Sequence, residues 1–357
     1  MNSDKGIVVF EPTDNIKLVK VKLNDIKLLG KKVHCTYPNR IHITPIDCNR
    51  FNYGKPGGGG IGFAIKSKNS IDIKLSSVMK YSGPKNIQPI ATRSLYLMST
   101  LLGLDNKFSI KINLAPEVLG HAGLGSNACL MTAICASINT LYNSPLNVRN
   151  LMEIVGVNFA ECYKGKCVLG LETGVGPATT LLGGFCLISM DSIVVWHHKL
   201  DFMPKMFIVN TQIKRPEFEG SEDDIMLKRS LYEDTKSRGV KSYEILMDLL
   251  PAISKHNLKI IGDVIWNIQF SGTHLSMIQR YNMFGKEIYS LLCKSKANNL
   301  EIIGLSSVGP SVFICSSEPD QVVHFLRSEG MSFLETEVQS DALAPEILHK
   351  GEYINGY

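Results

Sequence analysis

The run Gly-Leu-Gly-Ser-Asn-Ala at 123–128 combines residue types that bind an anion through the main chain. Gly123 and Gly125 permit positive φ, and Ser126 stands where a helix of small residues begins. The N–H groups of Gly123, Leu124, Gly125, Ser126 and Asn127, with the positive end of that helix, can then converge on one phosphate. A tight strand-to-helix turn would use the same glycines. The apolar strand before the loop and the small-residue helix after it favour the anion. His121 adjoins the loop and could face the same ligand. No Gly-Lys-Ser/Thr follows and no βαβ unit opens the chain, so neither a Walker A loop nor a dinucleotide fingerprint is present.

Other chemistry-bearing side chains stand beside turns. Arg40 and His42 are two apart in "RIHITPID" and share one face of a strand, where two side chains able to carry positive charge could meet a substrate. Asp47 ends that stretch, and an isolated acid there also serves as a turn former bonded to its own backbone. Lys214 and Arg215 close another strand and could clamp a phosphate or carboxylate, the guanidinium in bidentate fashion. The acids after them (Glu217, Glu219, Glu222, Asp223, Asp224) suit a solvated helix start. In "GLSSVGPSVF", Ser306, Ser307 and Gly309 offer hydroxyls and a bare N–H to an anion, or simply make a strand turn. His197 and His198 read as structural.

The elements that position these residues mix strands and helices without a βαβ rhythm. Alternation of apolar and polar residues predicts strands through 16–50, and four glycines at 57–60 require a sharp bend or a close approach of backbone before the next strand. A helix is predicted in "PIATRSLYLMSTLLGL", a strand in "KFSIKINLA", a buried helix over 127–142, and a further helix after Asn147 as N-cap. Beyond residue 190 come a strand in "KMFIVNT", three helical stretches, and a strand–turn–strand unit at "EIIGLSSVGPSVFICSS". This order predicts an α+β fold of two domains, 1–190 and 191–357.

Composition narrows the classes. With 357 residues, 44% hydrophobic, and a mean hydropathy of +0.05, the chain can bury a large core. A net charge of +5 without a basic run does not point to nucleic acid, and a site for small anionic ligands explains the mild excess equally well. Nine scattered cysteines, an odd number, read as buried thiols of a reducing compartment, and Cys162 with Cys167 lacks the partners of a zinc site. No signal or membrane-length apolar run is read, so a cytoplasmic protein is expected.

The motifs "RIHITPIDCN", "GGGGIGFAI", "HAGLGSNACLMTAI", "TGVGPATTLLGGF" and "IIGLSSVGPSVF", in this order, resemble the β-ribofuranosylaminobenzene 5'-phosphate synthases, a non-kinase family on the fold of the GHMP small-molecule kinases. The resemblance runs in patches over 36–316. It implies a pentosyltransferase that takes 5-phosphoribosyl 1-pyrophosphate, joins the ribose C1 to a ring carbon of an aromatic or heteroaromatic acid, and releases pyrophosphate and carbon dioxide. It further implies Asp47 as the acid at the Mg²⁺ and ribose end, with His42 beside it. Substrate contacts are implied for Arg40, Gly59, Gly60, Thr173, Gly174, Ser306, Ser307 and Gly309, and a homodimer is expected.

Many GHMP kinases carry Ser-Gly-Ile-Asp before a Gly-Gly strand. Here Gly176 stands where that Asp would be, which removes the kinases' usual base. An ATP-dependent small-molecule kinase is the alternative, and a non-catalytic ligand sensor ranks below it. "KPGG" before the glycines and Asn-Ala-Cys after the loop serine depart from the pattern of the methanopterin pathway. These departures leave a heteroaromatic acceptor open.

Overall fold

The computed structural model describes residues 9–51, 53–105, 107–115, 123–163, 165–209, 220–270, 274, 278, 283–349 and 352–355. Strand β1 (Val9–Phe10) is followed by a long extended strap. Residues 16–31 were expected as strands on their alternation, but they join no sheet. Their backbone bonds instead to the carbonyls of Leu141, Tyr142 and Pro145, and Ile16, Val19, Val21 and Leu23 press onto the core beside it. Alternation marks a half-buried extended chain, and here the burying surface is helical.

Two long antiparallel strands form the spine, β2 (Lys32–Pro45) and β3 (Gly60–Ser76). Along the chain follow β4 (Lys80–Ser82), α1 (Gln88–Leu102), β5 (Lys107–Asn113), α2 (Ser126–Leu141), α3 (Val148–Asn158), β6 (Ala160–Tyr163), β7 (Lys166–Leu169), α4 (Val175–Leu182), β8 (Phe185–Ile188) and β9 (Val194–His198). The expected helix after Asn147 is present, with the Asn147 side chain accepting from Asn150 N at 2.9 Å. Beyond lie β10 (Met206–Val209), α5 (Gly220–Glu244), a π-turn, α6 (Leu250–Ser254), α7 (Leu258–Phe270) and a helix over Met283–Ala297. The chain ends with β11 (Ile302–Leu305), β12 (Val312–Cys315), a helix over Pro319–Ser328, β13 (Phe333–Thr336), β14 (Glu346–His349) and β15 (Glu352–Asn355).

The eight-stranded sheet runs β15-β14-β2-β3-β5-β4, with β8 also paired to β3 and β9 to β8. It draws strands from both sides of residue 190, since β9 pairs with β8 and β14 returns to β2. A four-stranded antiparallel sheet, β11-β12-β10-β13, forms the second layer. Val33, Cys35 and Tyr37 face the helical core of α1 and α2, whereas Ile41 and Ile43 enter a second core with Met206, Ile208, Phe313 and α7. The far face of the small sheet packs Phe207, Ile303, Leu305 and Ile314 under the later helices. This is an α+β architecture.

None of the nine cysteines is in a disulfide, and seven are buried. Among the described residues no helix is long and apolar enough to cross a membrane.

Candidate functional site

The second half of β2 lies between the two cores, and its odd and even residues part there. Ile41 and Ile43 take the apolar side, so Arg40 and His42 face the starts of α2 and α4. Register shifts at 37/39 and 42/44 bracket them, and a bulge is a device that re-aims side chains.

Gly123 (φ +77) and Gly125 (φ +72) are both left-handed, as the glycine pattern predicts, and Gly125 is the N-cap of α2. That cap has no side-chain hydrogen bond, so among the described residues no side chain of the cap takes the N–H groups of the first turn, which a ligand could use. Arg40 N donates to Leu124 O at 3.1 Å. The Arg40 side chain lies so close to Gly125 that a Cβ there would stand 2.5 Å from its Cγ and 2.6 Å from its Nε. Arg40 Nε and Nη1 are buried and have no hydrogen-bond partner among the described residues. A charged donor left in that condition awaits an acceptor.

A second helix start meets the same place. Glu172, 4% exposed, accepts from Gly174 N at 2.9 Å and Gly176 N at 3.3 Å, both through Oε1. Thr173 Oγ1 accepts from Val175 N at 3.3 Å and lies 3.4 Å from His42 Nε2. The start of α4 is thus already occupied by protein groups. A Cβ at Gly176 would lie 2.6 Å from Ala128 Cβ, 3.1 Å from Glu172 Oε2 and 3.4 Å from Arg40 Nε. The space beside Gly176 is thus taken up by Ala128, the Glu172 carboxylate and the Arg40 side chain. Cys129 sits beside both, and burial pushes its thiol up to about 11, so it stays protonated.

The late turn closes onto this loop. Ser306 Oγ donates to Gly123 O at 2.8 Å and accepts from His42 N at 3.4 Å, while Ser307 N donates to His42 O at 2.8 Å. Gly309 N bonds Ser306 O, and a Cβ on Gly123 would meet Ser306 O at 2.5 Å. The three motifs are therefore one assembly, but the buried Ser306 hydroxyl, expected on a substrate anion, is engaged by main chain. Gly60 approaches His42 Nε2, where a Cβ would lie at 2.9 Å, and Gly59 (φ +59) turns against Ile188 O. Those close approaches explain the glycine run.

Asp47 accepts from Asn49 N at 3.1 Å, capping the turn Cys48–Arg50, and its other oxygen meets Arg238 Nη1 at 3.1 Å and Arg50 Nε at 3.4 Å. His121, Lys214 and Arg215 lie outside the described residues.

Several groups gave no sequence signal that was read. Lys241 and Asp234, 1% and 0% exposed, form an ion pair at 2.8 Å. Lys241 Nζ also donates to Pro45 O, and Asp234 Oδ2 accepts from Cys48 N at 2.7 Å. Their seven-residue spacing within a polar helix was the available clue. The pair clamps the loop carrying Asp47. Lys241→Met should cost about 3–5 kcal/mol, because an uncompensated carboxylate stays buried, while the double variant Asp234→Leu/Lys241→Met should lose far less. Urea unfolding of both would reveal it. Equal losses would mean that the pair is not coupled.

His42 and His274 are both buried. Burial, with Arg40, His274 and Lys241 adding to it, holds the His42 ring well below the ordinary histidine value. Burial and then Lys241 bring His274 down to about 3. The main chain of Ser307 opposes this shift only weakly. His42 is therefore a neutral ring at physiological pH, although the type could have carried a charge beside Arg40. Unfolded histidines take up protons near 6.5 and these folded ones resist, so their stabilisation is complete above that value and is lost as pH falls toward 3. Each ring should contribute a slope of about 1.4 kcal/mol per pH unit. Unfolding free energies at pH 7, 6 and 5 test this. A flat profile would contradict neutral burial.

No family model matches the sequence. The chain is 25% identical over 305 residues to a β-ribofuranosylphenol 5'-phosphate synthase of Methanocaldococcus jannaschii, covering 77% of this chain and 87% of the relative. It is 24% identical over 295 residues to a protein of the same name from Archaeoglobus fulgidus, covering 77% and 85%. Among solved structures, the homoserine kinase of Cytophaga hutchinsonii superposes with a TM-score of 0.61 at 15% identity, over 92% of this chain and 100% of that one. The L. major mevalonate kinase in complex with R-mevalonate gives 0.62 at 15% identity, over 90% and 100%. The mevalonate diphosphate decarboxylase of Staphylococcus aureus gives 0.62 at 13%, over 88% and 98%. The chain has the GHMP kinase fold, and in sequence it is similar over three quarters of its length to the β-ribofuranosylphenol 5'-phosphate synthases.

Proposed function

We propose that the chain is a decarboxylating pentosyltransferase that takes 5-phosphoribosyl 1-pyrophosphate and forms a C-riboside on an aromatic or heteroaromatic carboxylate. The observation that carries this reading is the half-buried Arg40, whose guanidinium Nε and Nη1 are buried without a hydrogen-bond partner among the described residues, at the uncapped start of α2. The names of the curated relatives supply the reaction class.

In this reading the first-turn N–H groups of α2 and the Arg40 guanidinium bind the pyrophosphate, and they hold it as its charge grows on departure. The C1–O bond breaks toward pyrophosphate, the acceptor ring carbon attacks C1, and loss of carbon dioxide from that ring carbon restores aromaticity. No covalent nucleophile is needed, in keeping with the high thiol value of Cys129. His42, neutral and packed against Thr173 and Gly60, holds the floor of the site in place and carries no charge to the substrate.

Magnesium needs separate treatment. Among the described residues no three metal-ligating side chains come together, and Asp47 faces two guanidinium groups. These residues do not fit a resident ion. Mg²⁺ enters this reading only as the counter-ion carried by the substrate's phosphates.

The kinase alternative draws on the fold alone, and the filled space at Gly176 counts against it. Calorimetric titration separates the two. The chain should bind 5-phosphoribosyl 1-pyrophosphate with Mg²⁺ and show little affinity for ATP. Tight binding of ATP with none of the phosphoribosyl donor would reverse the assignment.

A further inference from the structure

Two helix starts, those of α2 and α4, converge on Arg40, and each is a seat for an anion. They are in opposite states. At α2 there is no side-chain cap and a guanidinium stands by with two buried donors unused. At α4 the Glu172 carboxylate takes Gly174 N and Gly176 N, and Thr173 takes Val175 N. Both bonds to Glu172 use Oε1, and Oε2 lies toward Gly176 and Arg40, beside the same point in space. The Glu172 main chain is tied as well, its carbonyl accepting from Gly57 N at 3.0 Å in the glycine run. The carboxylate is fixed from both ends.

We propose that Glu172 determines where an anionic substrate sits: it fills the seat at α4 with a built-in carboxylate and so reserves the seat at α2 for the substrate. An anion that tried to bind at α4 would meet a fixed negative charge and no free N–H groups. At α2, Arg40 outweighs the carboxylate by direct contact, while the carboxylate remains close enough to weaken any anion held there. The site thereby holds one polyanion in one orientation and binds it less tightly than Arg40 alone would. That suits a pyrophosphate that must leave after the reaction. The inference rests on the reading that α2 takes the donor's pyrophosphate.

Glu172→Gln separates charge from capping, because the amide oxygen still accepts from Gly174 N and Gly176 N. Inorganic pyrophosphate is the probe, titrated by calorimetry into the full-length wild type, Glu172→Gln and Glu172→Ala. Wild type should bind one pyrophosphate. Glu172→Gln should melt as wild type does and bind it about tenfold more tightly, one nearby negative charge having been removed. Glu172→Ala, which uncovers the α4 seat, should take up a second anion. Wild-type affinity and a single site in both variants would overturn the inference and leave Glu172 as a helix cap, with the α2 reading intact. No binding by wild type would overturn the α2 reading, and this inference with it.

Discussion

Arg40→Met should lose donor binding while the folded chain becomes no less stable. The guanidinium's Nε and Nη1 are buried without hydrogen-bond partners among the described residues, so in the free protein their desolvation is not offset. Removing an unsatisfied buried donor recovers about 1–3 kcal/mol. Methionine keeps the apolar stem that packs on Gly125. On the binding side, each charge-assisted hydrogen bond to the substrate contributes about 1.5–3 kcal/mol, and the loss of two should lower donor affinity by roughly 10² to 10⁴. Calorimetry and urea unfolding on one preparation would show both effects. A variant that binds normally would remove Arg40 from the site. One that unfolds more easily while still binding would make Arg40 a structural residue.

Gly125→Val should be more damaging, for two reasons that can be separated. The residue sits at φ +72, where a β-branched side chain is strained by at least about 1–2 kcal/mol. In addition the new Cβ would stand 2.5 Å from Arg40 Cγ and 3.0 Å from its Cδ, so the arginine must swing away from the start of α2. Donor binding should fall below detection. Gly103→Val is the control, since Gly103 has φ +61 as the C-cap of α1 and nothing within 4 Å of a Cβ. It should bear the strain alone and bind the donor as wild type does. Ser126→Ala should be milder than either site variant, deleting one hydroxyl and leaving the main-chain donors. If Gly125→Val, shown folded by circular dichroism, still binds the donor, the loop is only a turn.

How far the sequence foretold this arrangement follows from how local each feature is. Gly123 and Gly125 are legible because a left-handed residue beside a packed arginine has almost no chemical substitute for glycine. The strand positions of Arg40 and His42 follow from a period of two, which β2 keeps between its bulges. Glu172 was missed because its role depends on α4 starting three residues later, and "ETGVG" gives a short helix little periodicity to announce itself. Asp234 and Lys241 were missed because a polar helix reads as solvated. Only the long-range approach of the loop after β2 buries that pair. The neutral state of His42 was not legible for the same cause, since burial is a property of the assembled cores. The segment 16–31 shows the converse error, a strand pattern docked on a helix end.

The central claim is chemical, and turnover tests it most directly. The full chain is incubated with 5-phosphoribosyl 1-pyrophosphate, Mg²⁺ and a panel of aromatic and heteroaromatic carboxylates, with pyrophosphate followed enzymatically and products followed by mass. The account predicts pyrophosphate release that requires an acceptor. The product mass should equal that of the acceptor with its carboxyl group replaced by a ribosyl 5-phosphate group. Consumption of ATP with phosphorylation of a small alcohol, and no acceptor-dependent pyrophosphate across the panel, would contradict it.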